Sequence, residues 1–348
     1  MKVKAYAANT AKSLLAPFQL ERRSPRESDV LIEILYCGIC HSDIHQARDE
    51  WGGSLFPMVP GHEIVGKVIQ LGEKVKKFSV GDTVGVGCLV DACRTCSSCQ
   101  SHLEQYCEKG FVGTYNGIER DGKTQTFGGY SSHIVVDEAF VLSIPDNLDL
   151  AKTAPLLCAG ITTYSPLKHW KVSKGMKVGV IGLGGLGHMA LKLATAMGAQ
   201  VVLFTTSKNK IEDGLKFGAK EVVLSSDQKA MKEKSSSLDL IINTVSAKIS
   251  LSQYLSLLKR EGTMVMLGVS PEALSLESHT LIRQRRNLAG SLIGGLKETQ
   301  EMLDFCSQHE ITSEIELISV EQINEAYEKA IHSQVKYRFV IDMKSLFT

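Results

Sequence analysis

KVGVIGLGGLGHMALKLATAMGAQVVLFTT, residues 177–206, sets an apolar run, a glycine-rich turn, an amphipathic stretch and a second apolar run end to end. Gly182-Leu183-Gly184-Gly185-Leu186-Gly187 follows KVGVI and opens the stretch with helical spacing. The first glycine of such a turn allows the tight bend, the second lets backbone approach a pyrophosphate, and the third lets helix and strand pack closely. Helix N-terminal amides then face the phosphate charge. Glycine turns also arise from packing alone, but the strand, helix and strand around this one predict a dinucleotide site. An acidic residue about twenty positions on would bind a ribose 2′-hydroxyl. Here Thr205-Thr206-Ser207-Lys208-Asn209-Lys210 carries no carboxylate. Hydroxyls and lysines suit a 2′-phosphate, so Thr205, Thr206, Ser207 and Lys210 predict NADP rather than NAD. The bland alternative is a solvated basic loop.

Downstream, EVVL, LDLIINTV, TMVMLGV and NLAGSLIG alternate with KIEDGLKFG and LSQYLSLLKREG, read as helices. Apolar strands between amphipathic helices predict an α/β fold with a doubly wound parallel sheet. Upstream, short apolar runs such as DVLIEILYCG and EIVGKVIQLG, broken by Gly, Pro and Asp, predict a barrel-like β domain. Asp149 is placed to cap a helical entry at the junction. The tail carries a helix, a strand, a helix and a closing strand that are expected to return to the β domain. The expected boundaries are residues 1–150 with 296–348 for the β-rich domain and 151–295 for the nucleotide-binding domain.

With 39 basic and 38 acidic residues among 348, the charge balance gives no reason to expect nucleic acid, membrane surface or polyanionic partners. A 43% apolar fraction is that of a globular protein. No signal-peptide block and no long uncharged apolar run is present, so a cytoplasmic protein is expected. In that reducing setting, closely spaced cysteines favour metal ligation or catalysis over disulfides.

Cys93, Cys96, Cys99 and Cys107, spaced x2, x2 and x7 in a polar loop, fit a closed tetrahedral zinc site. An iron–sulfur cluster also takes four thiolates, but the wide last gap disfavours it. A second set is scattered: Cys40 in CGICHSDIH, His62 in PGHEIVG and Cys158 in LLCAGITT. One His and two Cys, with a fourth position left open, make a catalytic zinc pattern. Each residue alone would read as ordinary core; the combination with a dinucleotide fold carries the assignment.

The chain resembles the zinc-dependent medium-chain alcohol dehydrogenases, within them the cinnamyl alcohol dehydrogenase branch. Gly61-His62-Glu63, Cys40-His41-Ser42-Asp43-Ile44-His45, the four-cysteine lobe, Cys158-Ala159-Gly160-Ile161-Thr162 and Gly182 to Gly187 carry the resemblance, in the family's order. It implies a GroES-like catalytic domain, two zinc ions per chain, one catalytic and one structural, and the NADP(H) cofactor. It implies that Cys40, His62 and Cys158 hold the catalytic zinc and that Glu63 approaches it during ligand exchange. Ser42 takes the substrate alcohol proton, His45 ends the relay to solvent, Asp43 orients the histidine ligand, and Thr162 lies near the nicotinamide. His41 stands where many members have arginine, which leaves a pyrophosphate contact dependent on its protonation. Trp51, Leu55, Leu292 and Ile293 line an apolar substrate pocket by resemblance, with ordinary packing as the alternative.

The reaction so implied is hydride transfer between NADP(H) and aromatic or medium-chain alcohols and aldehydes. A polyol or threonine-type zinc dehydrogenase is the alternative; metal-free quinone reductases share the fold but lack the zinc ligands. A zinc-lobe binding module is a rival from another class, and the balanced charges around the lobe speak against it. Cys37, Cys88 and Cys306 read as small buried hydrophobes. Arg283, Arg285 and Arg286 read as a solvated basic run and Arg338 as a residue near the closing strand, each with a second reading as a cofactor phosphate contact. The family's last parallel strand pairs across a two-fold axis, so a homodimer is expected.

Overall fold

The computed structural model describes residues 1–270 and 272–347, and the chain divides into two units, Met1–Cys158 with Gly294–Thr348, and Ala159–Ile293. In the first unit β1 (Lys2–Ala7) pairs with β2 (Ala16–Glu21). The larger sheet is built on β3 (Asp29–Gly38), β4 (Ile64–Leu71) and β5 (Thr83–Val86). After β5, β6 (Leu89–Asp91) and β7 (Val112–Gly113) form a short ribbon that carries the cysteine lobe, and β8 (His133–Asp137) and β9 (Leu142–Ser143) follow.

DVLIEILYCG is almost continuously apolar because β3 is central: β4 runs along it, and β8 pairs with Asp29–Glu33. Register shifts against β4 at Leu31/Ile32 and Ile34/Tyr36 bend the strand. Its far end, Tyr36–Gly38, therefore leaves β8 and meets a different partner.

The second unit holds β10 (Lys177–Ile181), β11 (Gln200–Thr205), β12 (Glu221–Leu224), β13 (Leu238–Asn243), β14 (Leu258–Met266) and β15 (Asn287–Gly290). They form one parallel sheet in the order β12-β11-β10-β13-β14-β15, the doubly wound α/β fold expected. The order reverses beside β10, where ligands bind in open α/β sheets, and the glycine turn sits there.

One element differs from the sequence expectation. LSQYLSLLKREG is helical only over Leu251–Leu255, and Leu258 already begins β14 opposite Leu238. Leu258 is fully buried, so core burial outweighs the helical spacing, and a register shift with Glu261 at φ 66° takes up the polar residues.

The chain returns to the first unit with the helix Leu296–Gln308, β16 (Ile315–Ile318), the helix Ile323–Ile331 and β17 (Arg338–Asp342). β17 lies antiparallel to β3 at Tyr36–Gly38 and parallel to β16. Glu104 of the cysteine lobe accepts the Leu296 N–H at 3.0 Å, and Asp149 accepts the Lys152 N–H at 3.0 Å as a helix cap. Among the described residues no helix is long and apolar enough to cross a membrane.

Candidate active site

Where β3 ends, Cys40 caps the helix His41–Ala47 and presents its thiol. Cys158 precedes the helix Ala159–His169, and its Sγ lies 3.9 Å from that of Cys40. His62 and Glu63 stand just before β4. Ligand atoms of Cys40, His62, Glu63 and Cys158 all lie within 4.8 Å of one another. The imidazole is set by its neighbours: Asp43 Oδ1 is 3.4 Å from Nδ1, and Tyr115 lies parallel to the ring at 5.7 Å between centroids. Nε2 is buried with no hydrogen-bond partner, and so is Glu63 Oε2. Buried polar atoms left unpaired are costly and uncommon. Two thiols, an imidazole nitrogen and a carboxylate oxygen converging on one point are the donor set that zinc takes, so the residues fit a bound zinc ion.

Glu63 is paired with Arg338 of β17 in a buried ion pair. Burial opposes the charge on Arg338, but Glu63 and then the Cys40 and Cys158 thiolates outweigh it and push its pKa above the ordinary arginine range. Gly38 is needed opposite this pair: a Cβ there would fall 1.9 Å from Glu63 Oε2.

Ser42 Oγ lies 3.6 Å from Cys40 Sγ. His45, one helical turn on, is half-buried; its Nδ1 is 2.5 Å from Glu50 Oε2, and its ring stacks on Trp51 at 4.9 Å. His41 is exposed, 6.4 Å from the His45 ring. Leu55, half-buried, is anchored by its N–H to Asn116 Oδ1 at 2.7 Å. Trp51 is 48% exposed, so it stacks on the histidine instead of filling a core. Leu292 and Ile293 belong to the other unit, where Leu292 is exposed and Ile293 takes φ 33°.

The sulfurs of Cys93, Cys96, Cys99 and Cys107 also lie within 4.8 Å of one another. Backbone N–H groups of Cys96, Cys93 and Glu108 reach Cys93, Cys107 and Cys96 sulfurs at 3.3–3.5 Å. Such donors, that of Thr95 first, lower Cys93 to about 5. Burial instead pushes the Cys99 thiol up to about 12, and four sulfurs converging on one point are the donor set of a closed structural zinc site. All nine cysteines are free thiols.

In the second unit the three glycines play distinct parts. Gly182 has φ 90°. A Cβ on Gly187 would fall 2.1 Å from the Gly182 carbonyl, so helix and turn pack too closely for any side chain. Gly184, exposed, faces open space, with nothing within 4 Å of its would-be Cβ. Open space of that kind beside a helix N-terminus suits a pyrophosphate. Gly185 and Leu186 begin the helix Gly185–Ala196, and Leu183 is buried. Lys210 Nζ donates to the Leu183 carbonyl at 2.8 Å, bringing the cation to the glycine turn. Thr205 is buried and accepts the Ser207 N–H at 3.2 Å, while Thr206 is exposed. Thr162 Oγ1 is buried without a partner.

Residues 26–146 match the family model of the alcohol dehydrogenase GroES-like domain, and residues 185–308 that of the zinc-binding dehydrogenases. The chain is 55% identical to NADP-dependent alcohol dehydrogenase C 1 of Mycolicibacterium smegmatis over 99% of both chains. It belongs to the zinc-dependent medium-chain alcohol dehydrogenases. Within that family it is 53% identical to the aldehyde reductase YahK of Escherichia coli over 99% of both chains. It also superposes on a cinnamyl alcohol dehydrogenase of Sorghum bicolor with a TM-score of 0.96 at 41% identity, over 99% of this chain and 98% of the other.

In this dehydrogenase Glu50 and Tyr115 carry no reading from the sequence, and Arg338 and Cys88 do something other than the sequence suggests. Glu50 lies one turn past a helix end and carried only the signal of an acid five residues after a histidine. Arg338 is engaged with Glu63, which accounts for its burial without a phosphate. Arg286 is likewise spent on the carbonyls of Leu258, Thr280 and Ser256, and Arg285 pairs with Glu261. Cys88 is half-buried beside the Cys158 thiol, not sealed in the core as Cys37 and Cys306 are. Tyr115, against the metal-site histidine, had no signal at all.

Proposed function

We propose that this chain reduces aromatic and medium-chain aldehydes with NADPH, and oxidises the corresponding alcohols, as a cytoplasmic homodimer with one catalytic and one structural zinc per chain. The observation that carries the reading is the buried, unpartnered Nε2 of His62 facing the thiols of Cys40 and Cys158. The names of the relatives, NADP-dependent alcohol dehydrogenase and aldehyde reductase, support it.

Bound zinc supplies Lewis acidity to the substrate oxygen, and bound nicotinamide supplies the hydride. Cys40, His62 and Cys158 hold the metal and leave one position open, while Glu63 Oε2 stands ready for ligand exchange. Ser42 gives its hydroxyl proton to the oxygen of the substrate being reduced. His45, held by Glu50 and Trp51 at the edge of the solvent, restores it. Gly184 and the amides of the following helix take the pyrophosphate, with Thr162 near the nicotinamide. Thr205, Thr206, Ser207 and Lys210, with no carboxylate among them, take the 2′-phosphate. Trp51 and Leu55 contribute apolar surface to the substrate pocket.

The outer edge of β15 is unpaired among the described residues, and Leu288 on that strand is exposed. A second copy pairing edge to edge would satisfy the strand and cover this surface.

A panel of aromatic aldehydes, aliphatic aldehydes and polyols, run with both cofactors and in both directions, tests the reading. Aldehyde-dependent NADPH oxidation that a chelator abolishes is expected, with catalytic efficiency higher for NADPH than for NADH. Preference for NADH would remove the NADP assignment. Activity confined to polyols would replace the substrate class.

A further inference from the structure

Asp43 is fully buried, and its carboxylate collects donors from separated parts of the first unit. Oδ1 accepts the Gly61 N–H at 3.1 Å and lies 3.4 Å from His62 Nδ1. Oδ2 accepts the Cys40 N–H at 2.8 Å and the Tyr130 hydroxyl at 3.1 Å. Tyr130 in turn accepts the Tyr327 hydroxyl at 3.4 Å. Tyr130 is 0% exposed and Tyr327 4%, and Tyr327 belongs to the helix Ile323–Ile331 of the returning C-terminal segment.

We propose that Tyr130 and Tyr327 are positioning residues for the catalytic zinc: their phenol chain fixes Asp43, and through it His62 and Cys40, so the C-terminal helix helps set how firmly the metal is held. The inference rests on the zinc-site reading given above.

A carboxylate that receives donors on both oxygens has its rotation fixed by them, and a fixed Asp43 fixes the His62 ring whose other nitrogen faces the metal. The same carboxylate holds the N–H of Cys40, so two of the ligands share one anchor. Burial first, and then the negative charge of Asp43, push both phenols above their ordinary pKa, so they stay protonated donors. Filling space needs only the rings. Phenylalanine keeps the rings and removes the chain, which separates the two roles.

The test uses the full-length protein loaded with zinc. Metal analysis of the parent comes first: two zinc ions per chain are expected, and a parent holding only the lobe zinc would overturn the zinc-site reading itself. Zinc transfer to a chromophoric chelator is then followed in two phases. Tyr130→Phe is expected to speed the catalytic-site phase by about tenfold, and Tyr327→Phe by about threefold as the loss of one outer hydrogen bond. The lobe phase should keep its parental rate in both. With cobalt at the catalytic site, Tyr130→Phe should also shift the visible absorption bands. Parental release rates and unshifted bands in the variants would overturn the inference, and so would an equal acceleration of both phases, which signals general loosening. Should Tyr130→Phe not fold, Tyr327→Phe decides, since it removes only the outer bond.

Discussion

His45 is held from two sides, by the Glu50 carboxylate at Nδ1 and by the Trp51 face. Replacing Glu50 by glutamine keeps the size of the side chain and weakens the charge-assisted bond. kcat is expected to fall by about tenfold, with KM little changed and the melting temperature unaltered, because the group is on the surface. An unchanged kcat would remove Glu50 from the relay. The two metal sites separate in the same manner. Cys158→Ala should give a folded protein without turnover and with one zinc fewer per chain by metal analysis. Cys96→Ala should instead unfold at lower temperature, since binding free energy at a closed site is folding free energy. A Cys96→Ala protein as stable as the parent but inactive would reverse the two roles. Cysteines, a histidine and glycines are legible in a sequence because the chemistry admits few substitutes. The pairing of Glu63 with Arg338, 275 positions apart, is not, because a buried ion pair leaves no local spacing to find.

Among the elements, the glycine turn gives the sharpest contrast. Gly187→Ala would place a methyl group 2.1 Å from the Gly182 carbonyl. Overpacking of that kind should cost about 3 kcal/mol in a denaturant titration. Gly184 has φ −126° and ψ −154° with open space around it, so alanine fits the apoprotein. Gly184→Ala should change stability by less than about 0.5 kcal/mol while weakening NADPH binding, measured by nucleotide fluorescence titration. Equal binding in the two proteins would show that no phosphate approaches there. Strand and helix alternation was legible through the second unit because each element has its own period. LSQYLSLLKREG departs from its helical spacing beyond Leu255 because Leu258 answers to Leu238 across the sheet, and not to its neighbours along the chain.

For the whole molecule, the edge of β15 carries a prediction about assembly. Leu288→Lys places a charge on the unpaired edge and should shift sedimentation from dimer to monomer without unfolding the sheet. A parent that sediments as a monomer would refute the dimer outright. The sequence by itself determined the α/β class, the dinucleotide turn, the two cysteine-rich ligand sets and the family, because these rest on local period and on residue types that metal and phosphate demand. Only the tertiary structure decided that β3 bends to reach β17, that Arg338 is spent on Glu63, that Glu50 and Trp51 hold His45, and that two phenols from distant segments meet at Asp43. Those contacts join residues whose separation along the chain has no period, and burial in a shared core is what selects them.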